Sequence, residues 1–241
     1  MKVSFDDKTV IVTGGSKGIG KAIAENFVKA GARVIVTGRA VIRDADLESK
    51  IEYISLDLGS EASIESFLRY LTSLNKVDAF VNNAGINIIN EAHDITDADF
   101  DKIIKVNLRG PLVICRHLAT LMRGKGGKIL NIGSIWSRVT RKGRVSYIAS
   151  KSGLAGLTRG LATDLADYKI LVNTLSPGFV ETELTKRSLS AIEMLELKER
   201  IPLGRMAQTE EIANFAVFLC SDLNSYMTGQ NLIVDGGFTN V

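Results

Sequence analysis

The chain alternates short β-branched runs with longer helical patterns, and this alternation most constrains its fold. Seven apolar runs predict strands, at residues 9–15, 33–38, 51–58, 78–85, 128–134, 170–178 and 231–237. Helical periodicity occurs between them, near 18–31, 60–73, 97–123, 147–167 and 209–221. Strands that are apolar along their length and separated by helices are typical of a parallel sheet covered on both faces. With right-handed crossovers, the pattern predicts a doubly wound α/β fold of the Rossmann type.

The chain is expected to form one domain, 1–241, because no linker, repeat or low-complexity tract interrupts it. Residues 183–203 are its least regular stretch and are rich in Glu and Lys. Their spaced leucines and isoleucine suit one or two short helices more than a core element. We therefore expect a substrate lid at 183–206.

Composition excludes several classes of protein. The net charge of +3 is too small to indicate nucleic acid or an acidic membrane as a partner. No apolar run approaches the roughly 20 residues that a membrane span needs. The start, MKVSFDDKTVIVTGG, does not resemble a signal peptide, so we expect a cytoplasmic protein or one that reaches an organelle without a visible signal. Cys115 and Cys220 lie in apolar helical stretches and are expected to be buried thiols.

A glycine-rich turn, TGGSKGIG at 13–20, joins the first strand to the first helix. Glycines allow backbone to approach a phosphate closely, and the helix N-terminus offers free N–H groups with a partial positive charge. The turn alone would fit a simple strand-to-helix connection equally well. Its place after the first strand, with a second strand about 20 residues on, favours a dinucleotide site.

The second strand ends Thr37-Gly38-Arg39, where an NAD site would usually place an acid. Lys17, inside the glycine turn, adds a second cation. Two cations without an acid suit a ribose 2′-phosphate and hence NADP(H). The alternative is that both are solvated surface charges.

Several further motifs are spaced along the chain. They are Thr13-Gly14-x-x-x-Gly18-x-Gly20, Asp57, Asn82-Asn83-Ala84-Gly85, the set Asn107, Ser134, Tyr147 and Lys151, and Pro177-Gly178 with Thr182. In these residues the chain resembles the short-chain dehydrogenase/reductase family along essentially its whole length. The resemblance is greatest to bacterial 3-oxoacyl-carrier-protein reductases and sugar or polyol dehydrogenases, which differ mainly in their substrate loops.

The resemblance implies a catalytic tetrad of Asn107, Ser134, Tyr147 and Lys151. It also implies a set of cofactor-binding residues: Gly14, Ser16, Lys17, Gly18, Ile19, Gly20, Arg39, Asp57, Leu58, Asn83, Ala84, Gly85, Tyr147, Lys151, Pro177, Gly178, Val180 and Thr182. Relatives of this kind are usually homotetramers that pair through the two long helices and the last strand, so a homotetramer or homodimer is expected. One departure is the short stretch between Arg39 and Asp57, where the family usually has a longer helix.

The chemistry of these residue types agrees with that tetrad. Tyr147 and Lys151 are four residues apart and share a helix face. A nearby ammonium, together with an oxidised nicotinamide, is expected to lower the phenol pKa, so that Tyr147 serves as general acid or base. Ser134 follows a strand at the edge of the sheet where ligands bind, and its hydroxyl can polarise a carbonyl.

Pro111 lies four residues after Asn107 in one long helical pattern. Proline has no N–H, so the carbonyl of Asn107 lacks its usual helical partner. The family resemblance implies a proton relay from that main chain through a water to Lys151. Pro111 either keeps this acceptor open or is a packing kink without catalytic meaning.

A basic loop, defined here as residues 134–147, carries four cations and no acid: Arg138, Arg141, Lys142 and Arg144. It joins two predicted catalytic residues and therefore predicts an anionic substrate, such as an acyl thioester, an acidic sugar or a keto acid. The alternative is a solvated loop or an oligomer contact. Tentative substrate residues are Ser134, Trp136, Arg138, Arg141 and Tyr147. His93 and His117 have no partners at metal-ligand spacing, so no metal site is predicted.

Together these features predict an NADP(H)-dependent carbonyl reductase or alcohol dehydrogenase. One alternative is an NAD-dependent sugar or polyol dehydrogenase. Another is a non-enzymatic NADP(H)-sensing protein, which is disfavoured because all four tetrad positions are present. Sugar-nucleotide epimerases share the Tyr-x-x-x-Lys pattern but need a substantial C-terminal domain that this chain does not have room for.

Overall fold

The computed structural model describes residues 3–39, 51–183, 185 and 190–241. Seven parallel strands form one sheet in the order β3-β2-β1-β4-β5-β6-β7. Their bounds are β1 Thr9–Thr13, β2 Arg33–Gly38, β3 Ile51–Ser55, β4 Ala79–Asn82, β5 Gly127–Ile132, β6 Ile170–Pro177 and β7 Asn231–Val234. The predicted doubly wound Rossmann fold is confirmed, and the strand order reverses between β1 and β4.

Helices follow most strands. Those described are α1 Gly18–Lys29, α2 Glu61–Thr72, α3 Asp97–Ile104, α4 Gly110–Met122, α5 Val145–Leu165, α6 Ala191–Glu199 and α7 Thr209–Cys220. None of the helices in the described ranges is both long and apolar enough to cross a bilayer. The stretch 40–50, where the sequence predicts a short or missing helix, lies outside the described residues.

Alternate strand residues supply two hydrophobic clusters, one on each face of the sheet. Val10 and Val12 pack with Phe27 of α1 and Ala216 of α7 on one face. Ile11 packs on the other face with residues of α2 and α4, including Phe67 and Leu118. Burial on both faces explains why the strand sequences are apolar throughout rather than alternating.

The predicted helix at 97–123 is continuous but not regular. Residues Lys105–Arg109 form one π-helical turn between α3 and α4. The N–H of Gly110 accordingly bonds to the carbonyl of Lys105, five residues earlier. Asn107 lies within this turn, and Pro111 follows it at the second position of α4. Such single π-turns are frequent at functional sites.

The segment 183–206 has a small hydrophobic cluster of its own. Helix α6 begins with a capping box in which the Ser190 hydroxyl accepts from the N–H of Glu193 and the Glu193 carboxylate accepts from the N–H of Ser190. Leu197, Ile201 and Met206 are buried against Phe179 and Phe238. Residues 184 and 186–189, which belong to the predicted lid, lie outside the described residues.

Candidate active site

The glycine turn between β1 and α1 has little room for side chains. Gly14 and Gly18 adopt left-handed conformations, with φ of 65° and 55°. A Cβ at Gly20 would lie 2.3 Å from the carbonyl oxygen of Gly14 and 2.4 Å from Nδ2 of Asn83. The backbone can therefore fold this tightly only because these residues are glycine.

The N-terminus of α1 fits an anionic ligand. Its N-cap residue, Lys17, is extended and makes no side-chain capping hydrogen bond, and the first turn holds no acid. The first N–H groups of a helix have no intrahelical partners and carry a partial positive charge. Together with the glycine cradle, this arrangement fits the pyrophosphate of a dinucleotide.

The end of β4 is fastened to the glycine turn by four hydrogen bonds. The Thr13 hydroxyl oxygen accepts from the N–H groups of Asn83 and Ala84, at 3.0 and 3.1 Å. The side-chain amide of Asn83 donates to the carbonyls of Thr13 and Gly14, at 3.0 and 3.1 Å. The two motifs thus form one rigid unit at the carboxyl edge of the sheet, where the strand order reverses.

The predicted adenosine residues lie at the ends of β2 and β3. Arg39 follows β2 and is exposed, as is Lys17. Asp57 follows β3, and its Oδ1 accepts from the N–H of Gly59 at 2.8 Å. Leu58 is buried against Gly110. The structure therefore leaves both predicted cations in solvent beside the turn.

The predicted nicotinamide residues follow β6. Pro177 ends that strand, and the N–H of Gly178 donates to the carbonyl of Val234 on β7 at 2.9 Å. Val180 forms a bridge with Ala207. The methyl of Thr182 lies 3.7 Å from where a Cβ of Gly18 would be, so this segment crosses back over the glycine turn. Ser16 and Ile19, within the turn, are half-buried.

The structure brings the four tetrad residues to the same edge of the sheet. Ser134 follows β5, and its side chain lies close enough to the phenol of Tyr147, in the first turn of α5, to lower the pKa of that phenol. One turn later, the ammonium of Lys151 lies 5.6 Å from the centre of the Tyr147 ring. This ammonium donates to the carbonyl of Ile132 at 2.8 Å.

Asn107 fixes the loop after β4 to α5. Its Oδ1 accepts from the N–H of Ile86, and its Nδ2 donates to the carbonyl of Ile86, both at 2.8 Å. Nδ2 also donates to the hydroxyl of Ser150 at 3.1 Å, and that hydroxyl donates to the carbonyl of Tyr147 at 2.8 Å. A Cβ at Gly85 would lie 3.3 Å from Oδ1 of Asn107 and 3.7 Å from Nζ of Lys151. Ser150, which the sequence reasoning missed, thus connects Asn107 to the backbone that carries Tyr147.

The expected lowering of the Tyr147 pKa is wrong for the protein alone. Burial raises the pKa of the phenol, and this effect outweighs the hydrogen bond from Ser134 and the nearby guanidinium of Arg144, which both lower it. Burial also lowers the pKa of Lys151 to about 8, because its charged form has lost its hydration. Burial therefore has the largest effect on the pKa of both groups. The spacing of the two residues along the helix does not reveal how deeply they are buried.

A cavity of about 750 Å³ adjoins this cluster. Its described lining is largely apolar, with three charged residues: Trp136, Val139, Thr140, Arg141, Phe179, Glu199, Arg200, Pro202, Phe238 and Val241. Trp136 is half-buried, and its backbone N–H donates to Oγ of Ser134 at 3.3 Å. Trp136 therefore connects the lining of the cavity to Ser134.

Two of the tentative substrate residues, Trp136 and Arg141, line this cavity. Arg138 is exposed and is not among the described lining residues. The sequence reasoning missed Phe179, although it directly follows the Pro177-Gly178 motif. It also missed Arg200 and Phe238, for which no motif gave a signal.

The cysteines and histidines do not form a further site. Cys115 and Cys220 are buried free thiols, and burial raises the pKa of each to about 12. The hydroxyl oxygen of Thr72 lies 3.1 Å from Nε2 of His117. Among the described residues, no group of three or more His, Cys, Asp or Glu side chains could hold a metal ion.

A family model described as enoyl-(acyl carrier protein) reductase matches residues 14–239, which include the glycine turn from Gly14 onward, the tetrad and every described lining residue of the cavity except Val241. The chain belongs to the short-chain dehydrogenase/reductase family. Members of this family use a nicotinamide cofactor, and this chain is accordingly an oxidoreductase.

Similar members of the family differ in their reactions. The 3-oxoacyl-(acyl-carrier-protein) reductase FabG of Aquifex aeolicus is 37% identical over 247 residues, covering 98% of this chain and 99% of that protein. The NAD-dependent glycerol dehydrogenase of Listeria innocua is 35% identical, covering 98% of this chain and 95% of that protein. A gluconate 5-dehydrogenase from Burkholderia cenocepacia, solved in complex with NADP and tartrate, has a TM-score of 0.92 and 30% identity, covering 100% of this chain and 98% of that one. Similarity to short-chain dehydrogenases thus establishes the reaction class and leaves several substrate classes open.

Proposed function

We propose that this chain transfers a hydride between NADP(H) and a carbonyl or secondary alcohol of an anionic substrate, with Tyr147 as general acid and base. The observation that carries the proposal is the grouping of three tetrad side chains: Ser134 is close enough to the Tyr147 phenol to lower its pKa, and the Lys151 ammonium lies 5.6 Å from the centre of the phenol ring. A hydroxyl and a phenol that contact each other can both reach one carbonyl oxygen. When bound, the nicotinamide supplies or accepts the hydride.

The protein side of the reaction is proton transfer and orientation. In reduction, Ser134 holds the carbonyl oxygen and Tyr147 gives its proton to that oxygen, which completes the alcohol. In oxidation, the phenolate of Tyr147 takes the hydroxyl proton. Lys151 stabilises that phenolate by its charge, and Asn107 holds the loop after β4 and the start of α5 in place through Ile86 and Ser150. Pro177, Gly178, Val180 and Thr182 would hold the nicotinamide end of the cofactor.

Lys17 and Arg39 support NADP(H) as the cofactor. Both are exposed cations beside the glycine turn, and β2 ends without an acid. A ribose 2′-phosphate would meet two positive charges there, whereas Thr37, Gly38 and Arg39 offer no carboxylate to accept from an NAD ribose hydroxyl. The gluconate 5-dehydrogenase relative was solved with NADP. One relative is an NAD-dependent glycerol dehydrogenase. For that reason, an NAD-dependent polyol dehydrogenase is the second candidate function.

An anionic substrate is supported by Arg141, which lines the cavity beside Ser134. We further propose that residues 183–206 form the substrate lid of a single domain, because Glu199, Arg200 and Pro202 from this segment face the same cavity.

Replacement of the proposed acid tests this function directly. Tyr147→Phe should lower kcat for NADPH-dependent ketone reduction by about a thousandfold or more, because the ring remains and only the proton is lost. The Kd of NADPH, measured by fluorescence titration, should stay within about threefold of that of the native protein. Full activity of the variant would contradict the proposal. Native protein that binds NADPH but reduces no carbonyl compound would instead favour a cofactor-sensing role.

A further inference from the structure

Three aromatic rings form a continuous wall of the cavity. Trp136 and Phe179 meet edge to face, with ring centres 6.0 Å apart, and Phe179 and Phe238 do the same at 5.1 Å. These residues come from the loop after β5, the segment after β6 and the short 3₁₀ helix Phe238–Asn240. Three separate parts of the chain therefore contribute a ring to one surface.

This wall reaches the reacting group. The backbone N–H of Trp136 bonds to Oγ of Ser134 at 3.3 Å, so one lining residue of the cavity directly contacts the hydroxyl that would orient the carbonyl. Its volume of about 750 Å³ suits a small organic molecule. The part of the substrate next to the carbonyl would therefore lie against the rings.

Two guanidinium groups complete the lining. Arg200 stands 5.5 Å from the centre of the Phe238 ring, and Arg141 lies on the loop that carries Trp136. Nearby acids pair with other cations: Lys142 with Glu91, Lys198 with Glu181, and Arg205 with Glu211. Among the described residues, neither cavity arginine forms a close ion pair with a carboxylate, although the charge of Arg141 helps to lower the pKa of Glu193. The charged side chains of the lining, Glu199 included, sum to +1.

We propose that the cavity selects a keto acid, or the corresponding hydroxy acid, whose apolar or aromatic body separates the carbonyl from the carboxylate. This inference rests on the proposed function. The body packs on Trp136, Phe179 and Phe238, and the carboxylate binds at Arg141 and Arg200. In reduction, a hydride from NADPH forms the new C–H bond, and a proton from Tyr147 goes to the oxygen.

The same aromatic wall disfavours the binding of a substrate that carries several hydroxyl groups. Each hydroxyl that enters the cavity loses water, and an unsatisfied hydroxyl costs about 1–3 kcal/mol. Among the described lining residues, the uncharged side chains include only Thr140 and Trp136 as hydrogen-bonding groups. Sugar acids would keep the carboxylate contact but leave several hydroxyls without partners.

A matched set of ketones tests this selection. We would follow NADPH absorbance with 4-acetylbenzoate, in which the ring separates the carbonyl from the carboxylate, with its methyl ester and with 5-ketogluconate. The acid should exceed both its neutral ester and the keto sugar acid in kcat/KM by about tenfold or more, which corresponds to about 1.4 kcal/mol. Arg200→Gln and Arg141→Gln should each bring the ratio of acid to ester down by at least about threefold, because kcat/KM for the acid falls more than that for the ester. Arg69→Gln, at an exposed arginine in the last turn of α2, is the control and should leave the ratio unchanged.

The aromatic wall is tested separately by Phe238→Leu, which retains an apolar side chain. It should raise KM for both phenyl compounds and leave that for 5-ketogluconate unchanged. A native preference for 5-ketogluconate, or an acid-to-ester ratio unaffected by both arginine variants, would overturn this inference while the proposed function stands. Absence of turnover with every carbonyl compound would overturn the proposed function and this inference together.

Discussion

The ammonium of Lys151 donates to the main-chain carbonyl of Ile132 at 2.8 Å, and the Lys151 residue is only 4% exposed. A cation is thus held inside the protein by a neutral acceptor at the end of β5. Loss of hydration lowers its pKa to about 8. This burial should be visible in the stability of the protein as well as in its activity.

Replacement of Lys151 by Met should change how stability depends on pH. The unfolded chain keeps the lysine proton up to a pKa of about 10.4, whereas the folded protein loses it near pH 8. Between those values the unfolded state binds more protons, so rising pH should stabilise the native protein relative to the variant by about 1 kcal/mol per pH unit. Urea unfolding at pH 7, 8.5 and 9.5 measures the difference. Parallel curves for the two proteins would contradict it.

Arg144 is expected to lower the pH at which the phenol of Tyr147 ionises. Its half-buried guanidinium lowers the pKa of Tyr147 against the larger effect of burial. Arg144→Gln removes that charge, so the phenolate should form only at higher pH. The pH profile of kcat for alcohol oxidation should shift to higher pH. Lys142→Gln, an exposed residue of the same loop that pairs with Glu91 at 2.8 Å, should leave the profile in place.

Arg39→Asp should reverse the cofactor preference. The exposed cation after β2 becomes a carboxylate, which repels a 2′-phosphate and accepts from a ribose hydroxyl. We expect the ratio of kcat/KM with NADPH to that with NADH to fall by at least about tenfold. Arg69→Asp provides the same charge change away from the turn. A native protein that already prefers NADH would refute the assignment of Arg39 and Lys17.

Gly20→Ala should disrupt the cofactor turn. The new Cβ would lie 2.3 Å from the Gly14 carbonyl oxygen and 2.4 Å from Asn83 Nδ2, so the turn and the end of β4 must separate. We expect about 1–3 kcal/mol lower stability and at least about tenfold weaker NADPH binding. Gly160→Ala is the control, since a Cβ there meets nothing within 4 Å on α5. Gly160→Ala should bind NADPH with the same Kd as the native protein. Calorimetric titration with NADPH measures the Kd of both variants.

Pro111→Ala tests whether the π-turn serves catalysis. Alanine restores an N–H that can bond to the Asn107 carbonyl and so occupy that acceptor. If that carbonyl serves a proton relay, kcat should fall and its pH profile should change. Leu112→Ala, at the exposed neighbour, controls for the loss of side-chain packing. An unchanged kcat and pH profile in Pro111→Ala would leave only a packing role for the proline.

Element positions were predictable from the sequence because the inner strands are buried on both faces. All seven strands lie where apolar runs predict them, and the differences of more than one residue are at their carboxyl ends. The run 9–15 continues into Gly14, where a left-handed backbone ends β1 at Thr13. The run 51–58 ends as β3 at Ser55, before the turn at Asp57. Apolar pattern marks burial, while the end of a strand depends on local backbone geometry.

The site was predictable where motifs are local and not where distant segments meet. Tyr147 and Lys151 lie on one helix, so their spacing already implies proximity. Phe238 reaches the cavity only because the chain after β7 packs on Phe179, which no local pattern encodes. The pKa direction of Tyr147 was wrong for the same reason, since burial is a property of the whole fold.

The π-turn at Lys105–Arg109 sets the rotational phase between α3 and α4. Ile103 and Met122 are both buried and are 19 residues apart, whereas five regular turns take about 18. The widened turn absorbs the surplus residue, so Ile103 of α3 and Met122 of α4 are both buried. Deletion of one residue between 105 and 109 would yield a regular helix but rotate α4 by about 100°. The position of Asn107 is therefore coupled to the packing of all of α4. A deletion that shortens this helix by one residue would also displace Asn107 from the tetrad.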